Sequence, residues 1–416
     1  LCYLTVAGYR VRRGSRPEGT KMSHVVVIGA GQAGAALAAK LRAAGHNGQI
    51  TLIGAESAPP YQRPPLSKGY LMGEMGAERL WLRSAEFYAG HQITLRLGTP
   101  VTAIDRAAQT VTLGDEKLHY DHLALTTGSY PRRLPAAVGG DLVGVYTVLS
   151  LADVDAMRAE FAPGKRLVIV GGGYIGLEAA AVAAKLGLDV TVLEMAPRIL
   201  QRVAAPETSD YFRALHTAHG VKILESTGLD RLLGDTHVTA ARLADGRELP
   251  ADFVIAGVGI LPGTALAEAC GLTIDNGIAT DVFGQTSDPH IWAAGDCASF
   301  PHHGGRLRLE SVGNAIDQAE VVAGNILGAQ QPYEAKPWFW SDQYDCKLQI
   351  AGLNTGYDTI VTRGPEGDAV SYWYFRGDTL LAVDAMNDPR AYMVGKRLVE
   401  QGKSPAKSAV SNPVTV

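Results

Sequence analysis

The sequence predicts an α/β protein: two copies of a strand, glycine turn, helix and strand, followed by a small α+β region at the C-terminal end. Three observations predict it. Gly29, Gly31 and Gly34 stand at G-x-G-x-x-G spacing directly after a run of valines, and Gly171, Gly173 and Gly176 repeat that spacing 142 residues later (171 minus 29). From residue 333 onward the apolar pattern breaks into short alternating stretches separated by turn residues. Glycine is in excess, 48 of 416 residues against the usual ~7%, and such a surplus sits where backbone must approach backbone or ligand.

The first unit reads HVVVIGAGQAGAALAAKLRAAG from His24, a β-branched strand running into an Ala/Leu-rich helical pattern, and residues 49–53 form a second strand that reaches Glu56. Gly29 permits the tight turn, Gly31 lets backbone approach a pyrophosphate, and Gly34 lets helix pack on strand; the helix N-terminus offers unpaired N–H groups to phosphate. The second unit has a strand at 166–170, helical periodicity over 174–186 including Tyr174 and Ile175, and a strand at 189–193 that ends at Glu194. Two complete copies predict two bound dinucleotides. A carboxylate at the end of each second strand suits a free ribose 2'-hydroxyl and repels a 2'-phosphate, so NAD rather than NADP is expected at the second site; Arg198, four residues on, is a weak counter-signal.

Composition excludes several classes. With 46% apolar and 19% charged residues the chain folds, and charged residues or glycines interrupt every apolar run before it reaches the ~18 residues needed to span a bilayer. Thirty-eight basic against 42 acidic side chains leave a formal charge of -4, which argues against a nucleic-acid partner. The four cysteines, Cys2, Cys270, Cys297 and Cys346, are scattered without metal-ligand spacing, so no metal is expected and a reducing cytoplasm fits best. Residues 1–21 place an apolar start before four arginines, the reverse of a secretory signal, and are expected to form a disordered leader ahead of Met22.

The string TSDPHIWAAGD, ending at Gly295 and Asp296, resembles the FAD-binding signature of the two-dinucleotide flavoprotein reductases, a glutathione-reductase-like family with two Rossmann-like domains. The resemblance implies that Asp296 holds the flavin ribitol. It also implies that Thr127 and Gly128, in LALTTGSYPR, close the first FAD segment, and that VIAGVGILP, around Gly259, marks the return from the NAD domain. The implied organisation is an FAD domain over 22–132 and 256–332, an NAD domain over 133–255 and a C-terminal domain over 333–416, ending in a polar tail.

Residues 57–80 contain no cysteine, whereas disulfide-using relatives carry reactive cysteines there. Cys297 is expected to be a packed small residue. PYQRPPLSKGYL in that window, with RLESVGNAIDQA and PWFWSDQYDCKLQIAGL, resembles the NADH-dependent ferredoxin reductases of oxygenase systems. The resemblance implies hydride transfer from NADH to FAD, then single electrons passed to a 2Fe-2S ferredoxin serving a monooxygenase or ring-hydroxylating dioxygenase. Rubredoxin reduction, or an apoptosis-inducing-factor-like NADH-responsive interaction protein, stands as the alternative.

By the same resemblance Lys68 lies beside flavin N5 paired with Glu178, Arg63 supports the FAD pyrophosphate, and Tyr174 gates the nicotinamide pocket. Val312 opens a helix over 311–327 aimed at the flavin, and Trp340 borders the flavin on the ferredoxin side. Arg132, Arg133, Lys347, Arg390, Lys396 and Arg397 are candidate docking cations on a monomer or weak homodimer.

Overall fold

A computed structural model describes residues 23–364 and 369–411. The expected leader, Met22 and Cys2 lie outside the described residues. Each glycine turn connects a buried parallel strand to an alanine-rich helix. In the first unit Val25–Ile28 lies at the centre of a five-stranded parallel sheet in the order Ile291–Ala293, His122–Leu125, Val25–Ile28, Ile50–Ile53, Ile93–Arg96. The second sheet repeats the arrangement: Val145–Tyr146, Phe253–Ala256, Arg166–Val170, Asp189–Leu193, Lys222–Leu224, all parallel. Both faces of such sheets are covered, which is why their strands read as continuous apolar runs rather than alternations.

Helices Gln32–Ala43 and Val312–Ile326 pack together on the first sheet, and their contact faces are rich in alanine (Ala33, Ala38, Ala315, Ala319, Ala323), which lets them approach closely. A three-stranded antiparallel sheet flanks each parallel one, Val101–Asp105 with Thr110–Leu113 and Glu116–His119 in the first unit, Leu229–Leu233 with Ala240–Leu243 and Glu248–Pro250 in the second. The chain leaves the first sheet through Ser129–Pro131 and returns through Ile260–Pro262, and these two crossings pair antiparallel.

The C-terminal region is a five-stranded antiparallel sheet in the order Trp338–Gln343, Cys346–Gly352, Thr379–Met386, Val370–Arg376, Thr359–Arg363. One face packs on the second unit, with Tyr372, Tyr374 and Met386 against Leu177, Ile199 and Phe212. The other carries helix Pro389–Glu400, where Gly395 is required because a Cβ there would stand 2.6 Å from Val383. The expected polar tail is corrected in part: Lys407–Val410 is a short helix that buries Val410 against this core. An isolated apolar residue among polar ones carries no periodicity, so its docking was not visible in the sequence pattern.

Candidate functional site

The six motif glycines divide into the same three jobs in both units. Gly29 and Gly171 take φ of +111° and +109°, and a Cβ on them would lie 2.1 Å from the Thr126 carbonyl and 2.3 Å from the Gly257 carbonyl. A Cβ on Gly34 or Gly176 would stand 2.0 and 2.3 Å from the Gly29 and Gly171 carbonyls. Gly31 and Gly173 have nothing within 4 Å of that position, and each caps its helix without a side-chain hydrogen bond. Both helices therefore begin as bare N–H groups facing open space, a cradle suited to phosphate.

Beyond the glycines the two cradles differ. The first is completed by residues distant in sequence. Thr126 donates from Oγ1 to the carbonyls of Ile28 and Gly29, Thr127 donates to the Gly263 carbonyl, and Gly128, at φ +63°, leads into the outgoing crossing. Asp296 follows Gly295 and accepts a hydrogen bond from Ser129 Oγ at 3.0 Å. Burial pushes its carboxyl up to about 6, because so few partners compensate its charge. The Gly295 N–H donates to Gln318 Oε1, leaving the buried Gln318 Nε2 without a partner among the described residues. A desolvated acceptor and an unspent donor beside an open phosphate cradle fit the ribityl chain and pyrophosphate of a flavin dinucleotide.

Glu56 and Arg63 bind each other rather than standing free. Arg63 donates to Glu56 at 2.7 Å, to Tyr61 Oη and to the Leu149 carbonyl, while Tyr61 Oη donates to the other Glu56 oxygen. The expectation of a pyrophosphate-supporting Arg63 thus meets a guanidinium already tied to its own loop.

In the second cradle Glu194 accepts from the Gly172 N–H at 2.9 Å and the Ala196 N–H at 2.7 Å, so the carboxylate is held at the strand end by the turn itself. Arg198, the counter-signal, donates to Ser209 Oγ and the Ala204 carbonyl and is committed to the following helix. Gly259, at φ +102°, precedes the returning crossing, and Ile175 is exposed on the helix's first turn.

Tyr174 packs against Phe339, ring centroids 4.9 Å apart, and its hydroxyl is buried without a partner among the described residues. This is the packing of an interdomain residue, and it ties the second unit's helix to the C-terminal sheet.

The strongest polar feature joins all three parts of the fold. Lys68, at the end of the Pro64–Ser67 turn, pairs with Glu178 at 2.6 Å, both nearly enclosed. Ser67 and Ser341 each donate to Glu178 at 2.7 Å. Ser341 was not singled out in the sequence; a serine on a strand carries no local signal, and only the packing of that strand on the helix of Glu178 discloses it. Nearby, Ser311 caps helix Val312–Ile326 through the Asn314 N–H, with Val312 as its first residue. Trp338 covers that start so tightly that a Cβ on Gly313 would lie 2.2 Å from its Nε1. Trp340 stacks on Trp338 (5.4 Å, 20°), and Lys396 lies over Trp338 at 4.9 Å. Arg132, Arg133, Lys347, Arg390 and Arg397 are exposed.

Cys297 is fully buried with its Sγ 3.5 Å from the Leu125 and Ala294 carbonyls, and burial pushes its thiol up. It is a packed thiol. Among the described residues no group of three His, Cys, Asp or Glu could hold a metal, and no helix is long and apolar enough to cross a membrane.

Residues 23–319 match the family model described as pyridine nucleotide-disulphide oxidoreductase, and 338–416 match the one described as reductase C-terminal. The chain is 44% identical over 380 residues to rhodocoxin reductase of Rhodococcus erythropolis, covering 90% of this chain and 89% of that one. It is also 44% identical to putidaredoxin reductase of Pseudomonas putida, with coverage of 90% and 91%. The fold superposes on the reductase of a covalent putidaredoxin reductase–putidaredoxin complex with a TM-score of 0.91 at 42% identity, covering 95% of this chain and 97% of that one.

Proposed function

The chain belongs to the pyridine nucleotide-disulphide oxidoreductase family, whose cofactors are FAD and NAD(H); from that premise we propose an NADH-dependent reductase that hands electrons one at a time to a 2Fe-2S ferredoxin of an oxygenase system. The observation that carries the reading is the enclosed Lys68–Glu178 pair, which joins the first cradle's loop to the second cradle's helix at a place without cysteine. A cation held there suits a centre that gains negative charge, whereas a disulfide relay would need thiols.

Bound FAD supplies hydride acceptance and one-electron donation; the protein positions and polarises it. Residues 22–132 and 256–332 are assigned to FAD, 133–255 to NADH and 333–416 to the C-terminal domain. The bare helix start at Gly31 holds the FAD pyrophosphate, Glu56 accepts from its ribose, and Asp296 accepts from its ribityl chain. Arg63 keeps Glu56 in place. Lys68 places positive charge by the flavin, and Glu178 holds that lysine while limiting excess charge. The N-terminus of helix Val312–Ile326 presents its positive end to the flavin. Gly173 with Glu194 receives the NADH adenosine half, and Tyr174 shapes the nicotinamide pocket. Trp340 borders the exit side, ringed by exposed cations that suit an acidic ferredoxin.

The decisive experiment is NADH-dependent cytochrome c reduction by the FAD-loaded protein with candidate 2Fe-2S ferredoxins, rubredoxin, or neither. Turnover that requires the ferredoxin and is not restored by rubredoxin supports the reading; turnover with rubredoxin alone, or slow reduction indifferent to any carrier, refutes it.

A further inference from the structure

Behind Glu178 the polar contacts continue into the protein. Gln343 Nε2 donates to Ser341 Oγ at 3.0 Å, His216 Nε2 lies 2.7 Å from Gln343 Oε1, and Tyr344 Oη lies 3.2 Å from His216 Nδ1. Ser341, Gln343 and His216 are all buried, at 0%, 1% and 0% exposure. The series crosses from the second unit's helix Tyr174–Lys185 to the C-terminal strand Trp338–Gln343 and back to helix Pro206–Ala218. Polar groups enclosed this far in need complete partnering, and one assignment of protons satisfies every member.

The assignment follows from one end. An ionised Glu178 only accepts, so Ser341 must spend its single proton on it. Ser341 Oγ must then accept, so Gln343 presents its amide N–H to it and its carbonyl to His216. His216 must donate from Nε2, and its unprotonated Nδ1 must accept from the Tyr344 hydroxyl. Burial holds the His216 imidazole down at about 4, consistent with a ring that carries one proton. His219 stacks on Tyr344 at 3.7 Å and closes the outer end.

We infer that Gln343 and His216, acting through Ser341, are positioning residues for Glu178: with Tyr344 they make four donors aligned in one direction that hold its carboxylate in one rotamer, gripping Lys68. This rests on the reading that Lys68 borders the flavin. Every link polarises the next toward the carboxylate, so a break two residues away reaches the ion pair. It also makes the C-terminal sheet part of the redox site, since two of the links come from its first strand.

The test measures the flavin reduction potential, the FAD dissociation constant and the rate of flavin reduction by NADH in Lys68→Ala, Glu178→Gln, Gln343→Leu, the double variant of Glu178→Gln with Gln343→Leu, His216→Phe and His216→Gln. Gln343→Leu is expected to slow flavin reduction roughly tenfold and move the potential in the same direction as Glu178→Gln, with the double variant no worse than Glu178→Gln alone. His216→Gln, which restores an N–H donor to Gln343, should recover most of what His216→Phe loses. In 15N NMR of the flavin-free and loaded wild-type protein, His216 should be the neutral Nε2–H tautomer. Additive effects in the double variant, an unchanged potential in Gln343→Leu while Glu178→Gln shifts it, or an Nδ1–H tautomer overturns the relay. If Glu178→Gln and Lys68→Ala both leave the potential unmoved, the reading of Lys68 falls instead, whatever the tautomer.

Discussion

The two glycine cradles have nearly the same backbone and different completions. Four strands of each sheet share one order, and the fifth differs: the outermost strand of the first, Ile291–Ala293, arrives from far downstream, while that of the second, Val145–Tyr146, comes just before its sheet's other strands. The first cradle is finished by Asp296, half-buried and weakly partnered; the second by Glu194, which its own turn binds through two N–H groups. A cradle assembled from distant segments carries an acceptor with one hydrogen-bond donor, Ser129. One finished locally has its acceptor already satisfied by two N–H groups. That contrast suits a dinucleotide that stays and one that comes and goes.

The largest contrast should come from the turn glycines. Gly29→Ala and Gly171→Ala each drive a methyl into a carbonyl at positive φ, costing about 3 kcal/mol or more. Gly29→Ala is expected to purify without flavin, whereas Gly171→Ala keeps its yellow colour and loses NADH affinity. Absorbance spectra and NADH titration check this; equal loss of flavin in both would erase the distinction between the cradles.

The waiting carboxyl gives the next effect. Asp296 has a folded-state pKa of about 6 against an ordinary value near 3.9, so the folded flavin-free protein binds more protons than the unfolded chain between those values. The stability this contributes is fully present below about pH 4 and is lost as pH rises through about 6. Relative to Asp296→Asn, the flavin-free wild type should lose about 3 kcal/mol across that window. Urea unfolding of both at pH 4, 5, 6 and 7 measures it. Asp384 shares the window, burial pushing it also to about 6, but its partners Thr208 and Tyr374 are unaffected by the substitution. Parallel curves for the two proteins would show that Asp296 is solvated in solution.

At the second cradle Glu194→Arg should narrow or reverse preference for NADH over NADPH, roughly tenfold in relative affinity, by removing an acceptor and a phosphate repulsion together. It also strips two N–H groups of their partner, about 1 kcal/mol each. Glu194→Gln retains one acceptor oxygen for the two N–H groups and should lose less stability than the arginine variant. Unchanged ratios of kcat/KM in Glu194→Arg would reduce the carboxylate to a turn cap. The smallest effect is expected from Cys297→Ser: turnover nearly intact and no thiol-to-flavin charge-transfer band on reduction, checked by anaerobic titration.

Much of this was readable from local spacing. The strands Arg166–Val170 and Asp189–Leu193 and the start of the helix at Tyr174 fall where the pattern put them, and the helix expected over 311–327 is capped at Ser311 and Leu327. Such elements depend on residues within a few positions of one another, so their signal survives in one dimension. Family strings added Lys68 and Glu178, 110 residues apart in the chain (178 minus 68), which no periodicity connects.

What the one-dimensional pattern lacked is what far segments do to each other. Arg63 carries the same charge whether it faces a phosphate or Glu56, and Arg198 whether it faces a ligand or Ser209; their partners decide. Ser341, Gln343 and His216 are ordinary polar residues until a C-terminal strand packs between two helices of the second unit and takes them out of water. Glycine spacing determines that a phosphate cradle forms, because backbone sterics are local. Burial determines which of the polar side chains around it become a site, because a hydrogen bond or a charge acquires consequence only where tertiary packing removes the solvent that would replace its partner.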